Sequence, residues 1–153
     1  MLFRSPIAFA AIFLGIARNA IDTVMELAAL KTRGAGKLRD GEPTQIQVAF
    51  AEAQLGAARA YLLEMVRDVW KTATEGQPIS ARQRSLVQLA SVHAVTLATQ
   101  AVDMMWDAAG SSAIFASSPL DRCFRDAHTG RKNIAINPEN YAKIGRMFLG
   151  VEP

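Results

Sequence analysis

Residues 80–109 read SARQRSLVQLASVHAVTLATQAVDMMWDAA, and this stretch decides the fold. Ser80 followed by Gln83 is a capping box, in which two side chains satisfy backbone donors left open at a helix start. Leu86, Leu89, Ala90, His93, Leu97, Ala101 and Met105 then recur every three or four residues, which places them on one helix face. The spacing predicts a helix from Ala81 to Ala109, about 45 Å long at 1.5 Å per residue. Gly110-Ser111-Ser112 closes it.

On the N-terminal side, Gly76 and Pro78 separate this helix from another, predicted over Gln45–Thr74 and opened by a second capping-box pair, Thr44 and Gln47. Ile46, Ala49, Phe50, Ala53, Ala57, Ala60 and Tyr61 form its expected inward face, with alanines that let a neighbour approach closely. Lys31–Pro43 is a polar loop broken by glycines. Ahead of it, Phe3–Leu30 is apolar on nearly all sides, as in a helix covered by neighbours or by another subunit.

On the C-terminal side, Ser118-Pro119-Leu120-Asp121 combines an N-cap serine, a first-turn proline and an acid at the positive helix end. That helix breaks near Ile134–Ile136, and Asn137-Pro138-Glu139 opens a last short one ending near Leu149-Gly150. The β-branched residues never alternate as a strand requires. The expectation is an all-α single domain over 1–153. It is an up-down bundle of three long helices (within 1–30, 44–74 and 80–109) plus a broken fourth (118–149).

With 153 residues, 50% of them hydrophobic and 20% charged, the chain can bury a sizeable core without a metal or a disulfide. The single cysteine, Cys123, excludes an internal disulfide framework and fits a reducing, cytoplasmic setting. The net charge is +3, and from Ser117 onward six basic residues face four acidic ones, so the last quarter carries most of the excess. No basic run, zinc-finger spacing or aromatic stacking pattern accompanies it, so nucleic acid is not an expected partner. Nor is a membrane. The apolar run Ile7–Ala17 has eleven residues where about 20 are needed to span a bilayer, and Arg18 and Asn19 fall where a signal cleavage site would lie.

Gly34-Ala35-Gly36 has neither a strand before it nor a third glycine, so it reads as a flexible loop. Two separated histidines and one cysteine supply no usual zinc set, and no metal is expected. His93 and Met104-Met105-Trp106 read as core. The stretch Ala109–Pro138, AGSSAIFASSPLDRCFRDAHTGRKNIAINP, is different: it concentrates glycine, serines, basic residues and a histidine at a helix break. Small residues before a helix N-terminus expose N–H groups and hydroxyls able to hold an anion or a polar ring edge. Arg122 and Arg125 share a face of that helix, beside Asp121 and Asp126. A capped helix whose arginines bridge to a neighbour accounts for the same residues equally well.

Thr44–Gln47, AEAQLGAARAYL (51–62), AAGSSAIFASSPLDRCFRDAHT (108–129) and NPENYAKIGRMFLG (137–150) carry a resemblance. The chain resembles the C-terminal helical domain of the acyl-CoA dehydrogenase superfamily, in particular its branch of flavin-dependent two-component monooxygenases. The resemblance implies FAD or FMN as cofactor and a homo-oligomer, dimer or tetramer. It also implies a flavin reductase as partner, or a chain supplying the helical and β-barrel domains that family members carry ahead of this bundle. Met1 falls about where the bundle begins, and these residues cannot supply those domains, so one expected wall of the flavin site is absent and no turnover is expected of the chain alone.

By the same resemblance, Ser111 and Ser112 border the flavin ring and Arg125 shapes the pocket beside it. The loop that often carries a catalytic glutamate corresponds to Asn133–Asn137, which contains no acid. Proton abstraction beside a thioester is therefore not expected by that route. Where the monooxygenase branch has a flavin-facing histidine, this chain has Asn133; an amide can hydrogen-bond a flavin oxygen but does not exchange protons near neutral pH. His128 is the alternative, so His128 and Asn133 are the catalytic candidates. The competing expectation is a non-enzymatic helical assembly or binding module derived from that family.

Overall fold

The computed structural model describes residues 4–151; Met1–Phe3, where the sequence pattern starts the first helix, lie outside them. Five helices follow in order: α1 (Arg4–Leu30), α2 (Glu42–Thr74), α3 (Ala81–Ala109), α4 (Pro119–Gly130) and α5 (Asn140–Phe148). α1, α2 and α3 run up, down and up, and α4 and α5 return along α3 as a broken fourth rod. The fold is an all-α bundle with one minimal hairpin.

α3 is the axis. α1, α2, α4 and α5 all pack on it, and its small residues Ala90, Ala94, Ala98 and Ala101 are fully buried. Two hydroxyls buried with them, Ser91 and Thr99, donate to Val87 O and Val95 O one turn back, each at 2.8 Å, so burial leaves neither donor open. The helix starts as its capping box predicts: Gln83 N donates to Ser80 Oγ at 3.1 Å, and Ser80 N donates to Gln83 Oε1 at 3.0 Å.

α2 departs from expectation in two ways. It begins at Glu42, with Gly41 as N-cap and Pro43 in the first turn, so Thr44 is buried inside the turn instead of capping it. Proline lacks an N–H and has a pre-set φ that suits the first turn, which lets the helix start earlier. The inward face is also a different one. Thr44, Ala51, Leu55, Ala58, Leu62 and Val69 are buried, whereas Ile46 and Phe50 are 57% and 59% exposed. From Ala51 onward the buried face carries Leu55, Leu62 and Val69 where the expected one carries mainly alanines, so turning it inward buries more apolar area over that length.

The loop after α1 contains two-residue strands, β1 (Thr32–Arg33) and β2 (Gly36–Lys37), paired antiparallel. Gly34 sits at the turn with φ +62°, a conformation glycine adopts without steric cost. Leu38, just after β2, is buried and pins the hairpin to the bundle. Strands this short offer no alternation for a sequence reading to detect.

By length and composition, Pro6–Leu30 and Ala81–Ser112 are both long and apolar enough to cross a membrane, so the eleven-residue run understates α1. Packing is the better discriminator. α3 is sheathed by four helices, and α1 alternates a buried side (Ala10, Phe13, Ala17, Ile21, Val24, Ala28) with an exposed one bearing Ile12 and Met25.

Candidate functional site

Gly110, at φ +57° and ψ −139°, turns the chain out of α3, and Lys31 Nζ donates to Ala109 O at 2.8 Å, tying the ends of α1 and α3 together. A single 3-10 turn, Gly110–Ser112, follows. It leaves Ser111 exposed and Ser112 half-buried. Ile114 and Phe115 stand outward beside them, 62% and 60% exposed, although Ala113 is fully buried. The elbow is therefore an open apolar shelf edged with hydroxyls. Ser118 caps α4 by accepting from Leu120 N at 3.3 Å, and Pro119 fills its first turn.

α4 turns Leu120, Cys123 and Ala127 inward. Its arginines pair along their own helix: Arg125 with Asp121 at 2.6 Å and Arg122 with Asp126 at 3.5 Å. Arg125 remains two-thirds exposed. Cys123 accepts from Asn19 Nδ2 at 3.3 Å, and burial pushes its thiol up from an ordinary 9.0.

Between α3 and α4 runs a row that sequence reading did not assemble. Trp106 lies 4.5 Å from Phe124, and Phe124 lies 4.3 Å from His128, centroid to centroid. His128 Nε2 meets Asp103 Oδ1 at 2.6 Å. Asp103 and Trp106 are three apart on α3, and Phe124 and His128 are four apart on α4, so each pair shares a helix face. That spacing was the available signal. The pairing across the two helices was not, because it joins residues 25 positions apart.

Asn133 lies beyond α4, in a loop held from three sides. Its Oδ1 accepts Ala135 N at 2.9 Å, Gln88 Nε2 donates to Ala135 O at 2.6 Å, and Asn140 Nδ2 donates to Ile134 O at 3.0 Å. Asn133 Nδ2 makes no bond among the described residues. α4, with 12 residues, is about 18 Å long, and it separates the elbow from this loop. The structure thus brings His128 to Asp103 but holds Ser111 and Ser112 at one end of α4 and Asn133 at the other.

His93 is satisfied within the bundle: its Nδ1 lies 3.0 Å from Tyr141 OH, with Tyr61 edge-on at 6.3 Å between centroids. Burial pushes the Tyr61 phenol up. Among the described residues, no cluster of three or more His, Cys, Asp or Glu could hold a metal ion.

A family model described as "Acyl-CoA dehydrogenase, C-terminal domain" matches residues 7–138. The chain is 33% identical over 142 residues to the indole-3-acetate monooxygenase of Pseudomonas putida, covering 92% of this chain and 36% of that protein. It is 27% identical to the solved HsaA monooxygenase of Mycobacterium tuberculosis, with a TM-score of 0.86, covering 96% of this chain and 39% of that one. The XiaF structure from Streptomyces, in complex with FADH2 and glycerol, matches with a TM-score of 0.92 at 20% identity, which shows the fold alone; 99% of this chain and 39% of that one are covered. The chain spans well under half the length of these relatives.

Proposed function

The chain belongs to the acyl-CoA dehydrogenase family, whose C-terminal helical domain it carries, and from that premise we propose that it forms one wall of the flavin and substrate site of a flavin-dependent monooxygenase. The observation that carries this reading is the open elbow. In a bundle that buries its core tightly, Ile114 and Phe115 stand about 60% exposed beside the hydroxyls of Ser111 and Ser112. An apolar shelf with polar edges suits a flat heteroaromatic ring, and the residues present fit a flavin, FAD or FMN, on that one side. Bound reduced flavin would supply the oxygen chemistry; the protein supplies orientation and electrostatics.

In this reading Ser111 and Ser112 hydrogen-bond the ring edge, and Arg125, held by Asp121, is a polar wall. His128 keeps one nitrogen on Asp103, which fixes the orientation of its imidazole. Asn133 offers Nδ2 as a donor with no proton to exchange. Because α4 stands between the elbow and the loop, the two ends serve different parts of the cofactor and substrate. The acid-free loop Asn133–Asn137 favours monooxygenation over proton abstraction beside a thioester. The opposite wall belongs to the part of the relatives' length that these residues do not span. A reductase on another chain delivers the reduced flavin, and the assembly is a homo-oligomer.

Anaerobic titration of the chain with FADH2 and with FMNH2, followed by flavin fluorescence, tests the reading. Saturable binding of one of them, weakened at least tenfold by Ser111→Ala with Ser112→Ala, is expected, without turnover. No binding by the chain or by Asn133→His would leave the second reading, a non-catalytic assembly module. The exposed apolar residues of α1 and α2, Ile12, Ile46 and Phe50, favour that alternative.

A further inference from the structure

We infer that the groove between the start of α3 and α5 seats an acidic amphipathic helix of a partner protein. The site is separate from the flavin wall. It lies at the N-terminal end of α3, and the elbow lies at the C-terminal end, about 40 Å away along a helix of 29 residues.

The groove has a volume of about 720 Å³ and is lined by Ala81 and Ser85 of α3, Lys143, Arg146 and Met147 of α5, and Val151 beyond it. Ala81 and Ser85 are small, which leaves the hollow, and Met147 and Val151 supply apolar wall. Its charge has one sign. Lys143 and Arg146 are three apart and share a face of α5, no acid is among the lining residues, and Lys143 makes no ion pair among the described residues. Beside them, the Arg82 guanidinium lies 5.8 Å from the centroid of the Phe148 ring, which adds a third cation. The groove beside Gly15, between α1 and α2, differs in presenting both signs, with Arg18 holding Glu52 at 2.8 Å. The arginines of α4 are likewise paired with acids of their own helix, whereas Lys143 carries its charge into the α5 groove.

Three cations on two helices select the partner. A lone carboxylate or phosphate answers one of them; a run of acids along a segment answers all three. Apolar surface also continues outside the hollow at Phe148 and Leu149, both exposed, which is more than a small anion covers. An anionic bilayer would meet the charges but leave the hollow unfilled. A helix with leucines at three- and four-residue spacing and acids on its flanks fills the hollow and reaches the cations together.

Fluorescence anisotropy of a labelled peptide, with leucines at helical spacing among glutamates over about 15 residues, tests this on the whole chain, with circular dichroism to confirm folding. Saturable binding to the wild type, weakening as salt rises, is expected. Lys143→Glu and Arg82→Glu should each weaken it at least tenfold. Arg33→Glu makes the same charge change on the hairpin, which Lys31 ties to the far end of α3, and should alter it less than twofold. A peptide with lysines in place of the glutamates should prefer the Lys143→Glu, Arg82→Glu double variant to the wild type. Absence of binding by the folded wild type overturns the proposal. So does binding that Arg33→Glu weakens as much as Lys143→Glu does, or a lysine peptide without that preference. Displacement of the peptide by laurate at equal concentration, or Lys143-dependent binding of phosphatidylglycerol vesicles in place of the peptide, overturns it in favour of a lipid site. The flavin titration stands or falls separately, because no residue of the elbow lines this groove.

Discussion

α1 and α3 are near equals as sequences, with 27 and 29 residues and each apolar enough to pass for a membrane span, yet the bundle treats them differently. α3 is wrapped by four helices, and its alanines are what let four neighbours come close. α1 is covered on one flank, where Phe13, Ala17 and Ile21 are sealed, and keeps Met25 and the groove beside Gly15 open. Hydropathy measures how much of a helix is able to be buried. The placement of small side chains decides how many helices approach closely enough to bury it, because protein interiors tolerate few voids.

The largest expected effect separates the two helices directly. Met105 on α3 is fully buried, and Met105→Ala should cost about 2–5 kcal/mol, as a long buried side chain leaves a cavity. Met25 on the outer side of α1 is half exposed, and Met25→Gln should stay within about 0.5 kcal/mol. Urea unfolding of the two variants measures both. Equal losses would erase the distinction between the helices.

A smaller effect tests the sealed flank of α1. A Cβ added at Gly130 of α4 would lie 2.9 Å from Phe13 Cζ and 3.1 Å from Cε2, and Phe13 is a buried ring that would have to shift to admit it. Gly130→Ala should therefore cost about 1–3 kcal/mol through overpacking, seen as a lowered urea midpoint. Gly15→Ala on the open flank meets nothing and should raise the midpoint slightly by helix propensity. The sign of the change, not only its size, distinguishes the flanks.

What was legible in the sequence follows the same division. Ser80 and Gln83 announced the start of α3 because a capping box is local chemistry, complete within four residues. The helix-rich architecture was readable from periodicity alone. The inward face of α2 was not, because that helix carries two apolar stripes. Spacing cannot rank Ile46, Phe50 and their alanines against Leu55, Leu62 and Val69; only the shape of α3 does. The site divides likewise. Arg125 with Asp121, and Arg122 with Asp126, lie within one helix and were readable, whereas Asp103 beneath His128 depends on how α4 docks. The separation of the elbow from Asn133 was readable, by contrast, since it is set by the length of α4, which the sequence places between Ser118 and a break near Ile134.

The smallest expected effect is at Cys123, where α4 meets α1 through Asn19. Burial is the leading cause of its raised thiol pKa, with the Asn19 hydrogen bond pulling the other way. The folded chain therefore holds the neutral thiol past the point where an unfolded chain ionises, near 9.0. Stability from this group is present below that pH and is lost as pH rises through the folded value. Reaction of the native chain with a disulfide reagent at pH 8 should be slow, and unfolding in urea should bring it to the rate of a free thiol. Fast labelling of the native chain would mean that α4 lifts away from α1 there. The sealed flank would then be as open as the groove on the other side, and α1 would be held mainly by α3.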